Sequence, residues 1–268
     1  MGKLNRIASN PAKYAGILLK KLLQASSYSL ARAAFRLEGQ MDIHPSSLWY
    51  DPAFTARFGG FQLPGDFPRN IVDLDPWDSV RRDMIVLLLR QIVERGIPGD
   101  FAELGVFKGR TAKLIHYYAP ERTLHLFDTF AGFDPRDIAS ENRKTTRQPA
   151  QGQFADTSVE GVLGYISPLR DTVCIHAGFF PESVPAQNAD LRYSLVHLDA
   201  DLYAPILSGL NYFYPRMSPG GLILIHDFNA WPGARTAVTE FFHDKPEIPI
   251  PMPDKSGSAL VVKSAAGA

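Results

Sequence analysis

Two stretches decide the fold, Leu195-Val-His-Leu-Asp199-Ala-Asp201 and Leu222-Ile-Leu-Ile-His226-Asp227. Each apolar run lacks polar alternation and reads as a strand of a parallel sheet, buried on both faces. Each stops on side chains that can hold a divalent cation or take a proton. Carboxylate oxygens suit Mg²⁺, and neutral imidazole suits several transition metals. Asp199 and Asp201 are separated by one residue, so an extended chain puts them on one face. If the two strands are neighbours, His226 and Asp227 lie one strand spacing away, about 5 Å. Three carboxylates that close repel unless a proton or cation sits among them. A hydroxyl nucleophile justifies the cluster: a metal lowers the alcohol's pKa while a carboxylate removes the proton.

Upstream, Phe101-Ala-Glu103-Leu-Gly105-Val-Phe-Lys-Gly109-Arg-Thr111 reads as a strand that turns through glycines into a helix. It is not the dinucleotide GxGxxG pattern. Gly105 and Gly109 let backbone approach a ligand, and the helix opening near Thr111 presents free N–H groups. Such a turn also serves plain packing. Asp128, at the end of the next strand, is placed to accept hydrogen bonds from ribose hydroxyls, with Phe127, Thr129 and Phe130 around it to flank an adenine. The competing role for Asp128 is a turn cap. Signals on successive strand ends together favour a nucleoside cofactor.

Outward from these segments the chain alternates. A helix is expected from Asp78 to Arg95, with Val80, Met84, Leu87, Leu88, Gln91 and Ile92 on its apolar face. Strands follow at Phe101–Val106, Thr123–Phe127, Val173–His176, Tyr193–Leu198 and Leu222–Ile225, with helices at Thr111–Tyr118, Ser158–Ile166, Ala204–Tyr214 and Ala234–Phe242. Residues 131–156 read as a polar insertion and Pro219-Gly-Gly as a turn. Thr157-Ser-Val-Glu160 reads as a capping box. Trp231 and Arg235 are either a pocket wall and an acceptor contact, or a helix start with an exposed Arg. Ile248–Met252 and Ala259–Val262 suggest a closing antiparallel pair. The fold class is α/β: a doubly wound, mostly parallel seven-stranded sheet with an N-terminal helical extension. Residues 1–78 form the basic arm and a Pro- and aromatic-rich connector, and 79–268 the main domain.

The 268 residues suffice for one large domain plus an appendage, and 45% apolar content supports a real core. Lys+Arg and Asp+Glu are both 28, which predicts neither nucleic-acid binding nor a polyacidic substrate. The single Cys174 excludes an internal disulfide and reads as a buried core thiol of a reducing compartment, so the cytoplasm is the expected location. Neither a transmembrane helix nor a signal peptide is expected. Residues 1–37 carry seven Lys or Arg, from Lys3 to Arg36, and no acid. With Tyr14, Ile17, Leu18 and Leu22 at helical spacing, this arm suits peripheral contact with an anionic membrane; packing on its own domain or on a second subunit is the plainer reading. A homo-oligomer is the expected assembly. His116, His125, His176 and His197 read as satisfied core histidines, and hydrolase triads find no support.

These blocks, with Leu-Phe-Asp128-Thr-Phe-Ala-Gly-Phe, Gly178-Phe-Phe-Pro-Glu182-Ser and His226-Asp227-Phe…Trp231-Pro-Gly-Ala-Arg235, resemble the macrocin O-methyltransferase-like family of class I S-adenosylmethionine (SAM) enzymes over about 79–263. The resemblance implies a SAM-dependent O-methyltransferase acting on a sugar hydroxyl of a glycan, glycolipid or glycosylated metabolite, with Mg²⁺. It implies SAM held by Glu103, Gly105 and Asp128, with Gly109, Thr111, Thr129, Phe130 and Gly178 completing that site. It further implies a metal on Asp199 and Asp227, joined by His226, and Asp201 as general base. The family's well-studied pattern has two acids where this chain has His226-Asp227; imidazole carries no negative charge and favours softer ions than Mg²⁺. Arg136, Arg143, Lys144 and Arg147 place a basic, lid-like insertion where an anionic or glycan acceptor would lie. A phenolic O-methyltransferase, or a non-catalytic module working through the basic arm, are the other two readings.

Overall fold

The computed structural model describes residues 78–166 and 171–265. The expected basic arm and connector lie outside the described residues. Helix α1, Ser79–Glu94, starts where the Asp78 carboxylate accepts the Arg81 N–H at 3.1 Å, an N-cap. Its buried face is rotated from the expected one. Val80 and Leu87 are exposed, while Ile85, Val86 and Leu89 join Met84, Leu88 and Ile92 inside.

Strand β1 (Asp100–Leu104) leads into α2 (Arg110–Tyr118), then β2 (Leu124–Asp128). The insertion holds α3 (Pro135–Lys144), and α4 (Val159–Ile166) follows. Then come β3 (Val173–Ala177), β4 (Tyr193–Leu198), α5 (Tyr203–Phe213), β5 (Met217–Ile225), α6 (Pro232–Phe242), β6 (Ile250–Pro251) and β7 (Ala259–Val262). The sheet order is β3-β2-β1-β4-β5-β7-β6. The first five strands are parallel, and β7 runs antiparallel between β5 and β6. The expected seven-stranded, mostly parallel sheet is what is seen. Every residue of β4 is buried, as a central strand covered on both faces requires, whereas the edge strand β6 is exposed.

Four expectations need correction. Pro219-Gly220-Gly221 is not a turn ahead of β5. It lies inside that strand, as an irregularity between the Tyr193↔Met217 and Leu195↔Leu222 pairs. Cys174 is only half-buried, because β3 is the other edge of the sheet. The insertion is not simply polar: α3 buries Asp137 and Glu141, and the Glu141 carboxylate accepts the Tyr203 N–H at 2.8 Å at the start of α5. Finally, Ser158 rather than Thr157 caps α4, taking the Gly161 N–H at 3.0 Å, while Thr157 donates its hydroxyl to the Phe107 carbonyl.

The core between sheet and helices centres on Phe101, Phe127, Tyr193, Phe213 and Leu210, all fully buried. Each such side chain contributes roughly 1.5–3 kcal/mol by leaving water. Among the described residues no helix is long and apolar enough to cross a membrane.

Candidate active site

Strand order reverses between β1 and β4, and a crevice opens there beyond the strands' C-terminal ends, the usual ligand position in such sheets. It forms a cavity of about 370 Å³. Of the residues expected from the sequence to hold the cofactor or metal or to act as base, only Gly109 and Phe130 do not line it. Gly109 is the left-handed N-cap residue of α2, and the Phe130 N–H is bound to Asp128.

On one side the cavity meets β1, β2 and the start of α2. Gly105 has φ +88°, and a Cβ there would sit 2.2 Å from the Asp199 carbonyl oxygen, so the glycine is demanded by the neighbouring strand end as well as by any ligand. Asp128 accepts the Val106 and Phe107 N–H groups on one oxygen, at 2.7 and 2.9 Å, and the Phe130 N–H on the other at 2.7 Å. The carboxylate therefore moulds the β1–α2 loop, with one of its four acceptor positions left over. Thr129 closes its own turn, donating to the Gly132 carbonyl at 2.7 Å. Thr111 and Gly178 contribute to the wall. Glu103 is buried, with Oε1 2.9 Å from His197 Nδ1; the Ala112 N–H approaches the carboxyl, but Oε2 closes no well-formed hydrogen bond. Desolvation, then the Asp199 charge, raises its pKa well above the usual range. His197, expected to be a satisfied core residue, has a buried Nε2 with no partner, and desolvation lowers its pKa to about 3.

The acids gather on the other side. Leu198 pairs with Ile225, so Asp199 and His226 emerge side by side, with Nδ1 2.7 Å from Asp199 Oδ1 and 2.9 Å from Asp227 Oδ2. Arg81, from α1, reaches the other Asp199 oxygen at 3.2 Å. Asp201 does not use strand alternation to arrive. It is a left-handed residue, φ +57°, in a tight turn, and its carboxyl hydrogen-bonds that of Asp227, itself at φ +56°. Burial would raise both Asp199 and Asp227, but His226 outweighs it and holds both below the ordinary range. Burial also opposes a charge on His226, yet the Asp199 and Asp227 carboxylates lift it to about 10. Asp201 is pushed well up, by desolvation and then by Asp227, so the proton between the two acids belongs to Asp201. A further donor cluster, Asp78, His226 and Asp254, is spent on structure: Asp78 caps α1 and Asp254 holds the Ser258 N–H and hydroxyl.

The spacing of Asp199, His226 and Asp227 would admit a metal ion. The donor chemistry does not fit one. Both Asp199 oxygens already face protein donors, His226 Nδ1 must carry a proton to bridge two carboxylates, and Asp201 shares its proton with Asp227. None of these four side chains has a buried polar atom without a partner. A nucleoside cofactor fits better, since Glu103 Oε2 and the α2 N-terminal N–H groups remain to bind it.

A family model described as Macrocin-O-methyltransferase (TylF) matches residues 79–259, the span that builds this cavity. The chain belongs to the macrocin O-methyltransferase family. Among its relatives is the mycinamicin III 3''-O-methyltransferase of Micromonospora griseorubida, 30% identical over 158 residues, which are 54% of this chain and 61% of that enzyme. Another is 8-demethyl-8-(2,3-dimethoxy-alpha-L-rhamnosyl)-tetracenomycin-C 4'-O-methyltransferase of Streptomyces olivaceus, 27% identical over 63% of this chain and 73% of its own length. Among solved structures, the O-methyltransferase NovP superposes with a TM-score of 0.60 at 22% identity, covering 69% of this chain and 80% of its own. These structures share the class I methyltransferase fold.

Several lining residues were not legible in the sequence. Arg81 arrives from a distant helix. Phe107 and Phe133 pack edge-on against Phe154 from the insertion, 5.1 and 5.2 Å between centroids, and wall the cavity. None of the insertion's four cations, Arg136, Arg143, Lys144 and Arg147, lines the cavity. Arg136 pairs with Asp134 and Glu182, Lys144 with Glu240, and Arg147 lies over Trp231 while donating to the Ala230 carbonyl. Trp231 is buried against Phe133, and Arg235 is exposed and tied to Asn229, so the plain helix-start reading of that segment holds.

Proposed function

We propose that this protein is a SAM-dependent O-methyltransferase whose acceptor is a sugar hydroxyl of a glycan, glycolipid or glycosylated metabolite. The observation that carries the reading is one cavity joining the Glu103–Asp128 side to the Asp199–Asp201–Asp227 side. One relative is named as an O-methyltransferase of a rhamnosyl-bearing tetracenomycin and another as a mycinamicin III 3''-O-methyltransferase, which supports the acceptor class. SAM supplies a methyl group on a positively charged sulfur. Glu103, Gly105, Thr111, Asp128, Thr129 and Gly178 would hold it, the unpartnered Glu103 Oε2 offering a neutral acceptor to its ammonium and the last acceptor position of Asp128 suiting a ribose hydroxyl.

Asp201 is the general base. Once the proton shared with Asp227 has left to solvent through the open cavity, Asp201 takes the acceptor's hydroxyl proton as that oxygen bonds to the methyl carbon and the carbon–sulfur bond breaks. Its raised pKa makes it a stronger base than an ordinary carboxylate. Holding oxygen and methyl in line is worth up to roughly 7–11 kcal/mol. The Phe107, Phe133 and Phe154 wall offers a face for the apolar side of a sugar ring. Metal assistance, expected from the sequence, is not part of this proposal. The proposal places the protein in the cytoplasm as a homo-oligomer.

The test is single-turnover methyl transfer to glycosylated acceptors with Asp201→Asn. Loss of transfer with SAM binding retained is expected; normal turnover would refute the role of Asp201. Transfer to phenols alone would move the acceptor class.

A further inference from the structure

The acid cluster at the ends of β4 and β5 is the arrangement that a divalent cation would occupy, yet its oxygens are already taken. Asp199 Oδ2 faces the Arg81 guanidinium at 3.2 Å, and Asp199 Oδ1 faces His226 Nδ1 at 2.7 Å. The same nitrogen lies 2.9 Å from Asp227 Oδ2. A ring nitrogen between two carboxylates carries hydrogen, so it has no lone pair to give a metal. The other nitrogen, Nε2, is turned away toward Asp254, 4.0 Å off. Arg81 cannot be deprotonated in a protein, and its charge stays beside any ion that entered. The position of Arg81 is itself fixed: its backbone N–H is held by Asp78 in the first turn of α1, so the guanidinium reaches the cavity from a capped, rigid helix end.

We infer that hydrogen-bond donors of the protein, the Arg81 guanidinium and the His226 ring N–H, take the place of a divalent ion in this cluster, and that the site works without one. The inference deepens the methyltransferase reading and rests on it for the word "works". Asp201 keeps its place as base, and Arg81 and His226 line the same cavity while holding Asp199 and Asp227 in place. The arrangement is specific to a chain with His rather than Asp at position 226, because an aspartate there would add a third anion and remove the bridging donor.

The test is titration of the protein with Mn²⁺, followed by electron paramagnetic resonance, on wild type, Asp199→Asn and His226→Asp. Alongside it, calorimetry with S-adenosylhomocysteine is run in EDTA. Expected are no wild-type Mn²⁺ site tighter than ~1 mM, undiminished S-adenosylhomocysteine binding in EDTA, and a gain of at least ~10-fold in Mn²⁺ affinity in His226→Asp. A wild-type site tighter than ~1 mM that disappears in Asp199→Asn would overturn the inference. Weaker binding, or binding indifferent to Asp199, supports it. The wild-type titration decides the matter even if His226→Asp does not fold. Failure to bind S-adenosylhomocysteine in any condition would sink the methyltransferase reading and leave the metal result standing.

Discussion

Glu103 and His197 are register partners on β1 and β4, and their side chains meet at 2.9 Å in the floor of the cavity. Both are almost fully buried, and each has one polar atom without a partner. Glu103 is shifted up and His197 down, which is the pattern of a pair that stays neutral with the proton on the carboxyl. Such a pair tolerates loss of charge better than loss of its hydrogen bond. Glu103→Gln keeps a donor toward His197 and is expected to cost within about 1 kcal/mol of stability, whereas His197→Leu strands a buried acid and costs on the order of 1–3 kcal/mol. Urea unfolding checks this; equal losses would contradict it.

Asp128 is expected to act on the loop and the cofactor together. Asp128→Ala frees three backbone N–H groups, each bond to a charged acceptor contributing roughly 1.5–3 kcal/mol. S-adenosylhomocysteine affinity should fall at least ~10-fold by calorimetry, and Asp128→Asn, which keeps one carbonyl oxygen, should lose less. Unchanged affinity in Asp128→Ala would remove Asp128 from the cofactor site.

Gly105→Ala places a methyl 2.2 Å from the Asp199 carbonyl at a positive φ. Backbone strain of ~1–3 kcal/mol is expected, with a further loss from the displaced strand end. Both thermal stability and cofactor affinity should drop; a fall in one alone would separate packing from binding.

His176 gives the pH dependence a sign. Burial, then His125, lowers its folded pKa to about 4, from an unfolded value near 6.5. As pH falls below 6.5 the unfolded chain takes up the proton first, so stability declines between about pH 6.5 and 4 and levels off below. His176→Gln should flatten that part of the curve in pH-dependent unfolding. A slope of the same size in the variant would assign the decline elsewhere.

Asp137 is a buried acid on α3 that faces the cavity, and burial, then Asp134, raises its pKa to about 7. Its charge is therefore disfavoured, and its stability penalty grows as pH rises from about 4 toward 7. Asp137→Asn should become progressively more stable than wild type over that interval. A pH-independent difference would contradict the assignment.

The strands were legible because burial on both faces leaves an uninterrupted apolar run: Tyr193–Leu198 is β4 residue for residue. The acids at their ends were legible for the same reason, since a polar cluster after such a run has few structural uses. What the sequence hid is set by distance or by turn geometry. Arg81 lies 118 positions from Asp199, and no local pattern links them. Asp201 reaches Asp227 through a left-handed turn, not through the alternation that an extended chain would suggest. Helix α3 packs a single branched apolar residue, Ile138, on the core and otherwise buries the carboxylates of Asp137 and Glu141, so periodicity in apolar residues could not reveal it.

The most direct test of the central claim is calorimetric titration of the purified protein with SAM and S-adenosylhomocysteine in EDTA. The account predicts 1:1 binding in the micromolar range, about −8 kcal/mol, weakened in Asp128→Ala. Absence of binding by the wild-type protein, with and without added divalent metal, would contradict it.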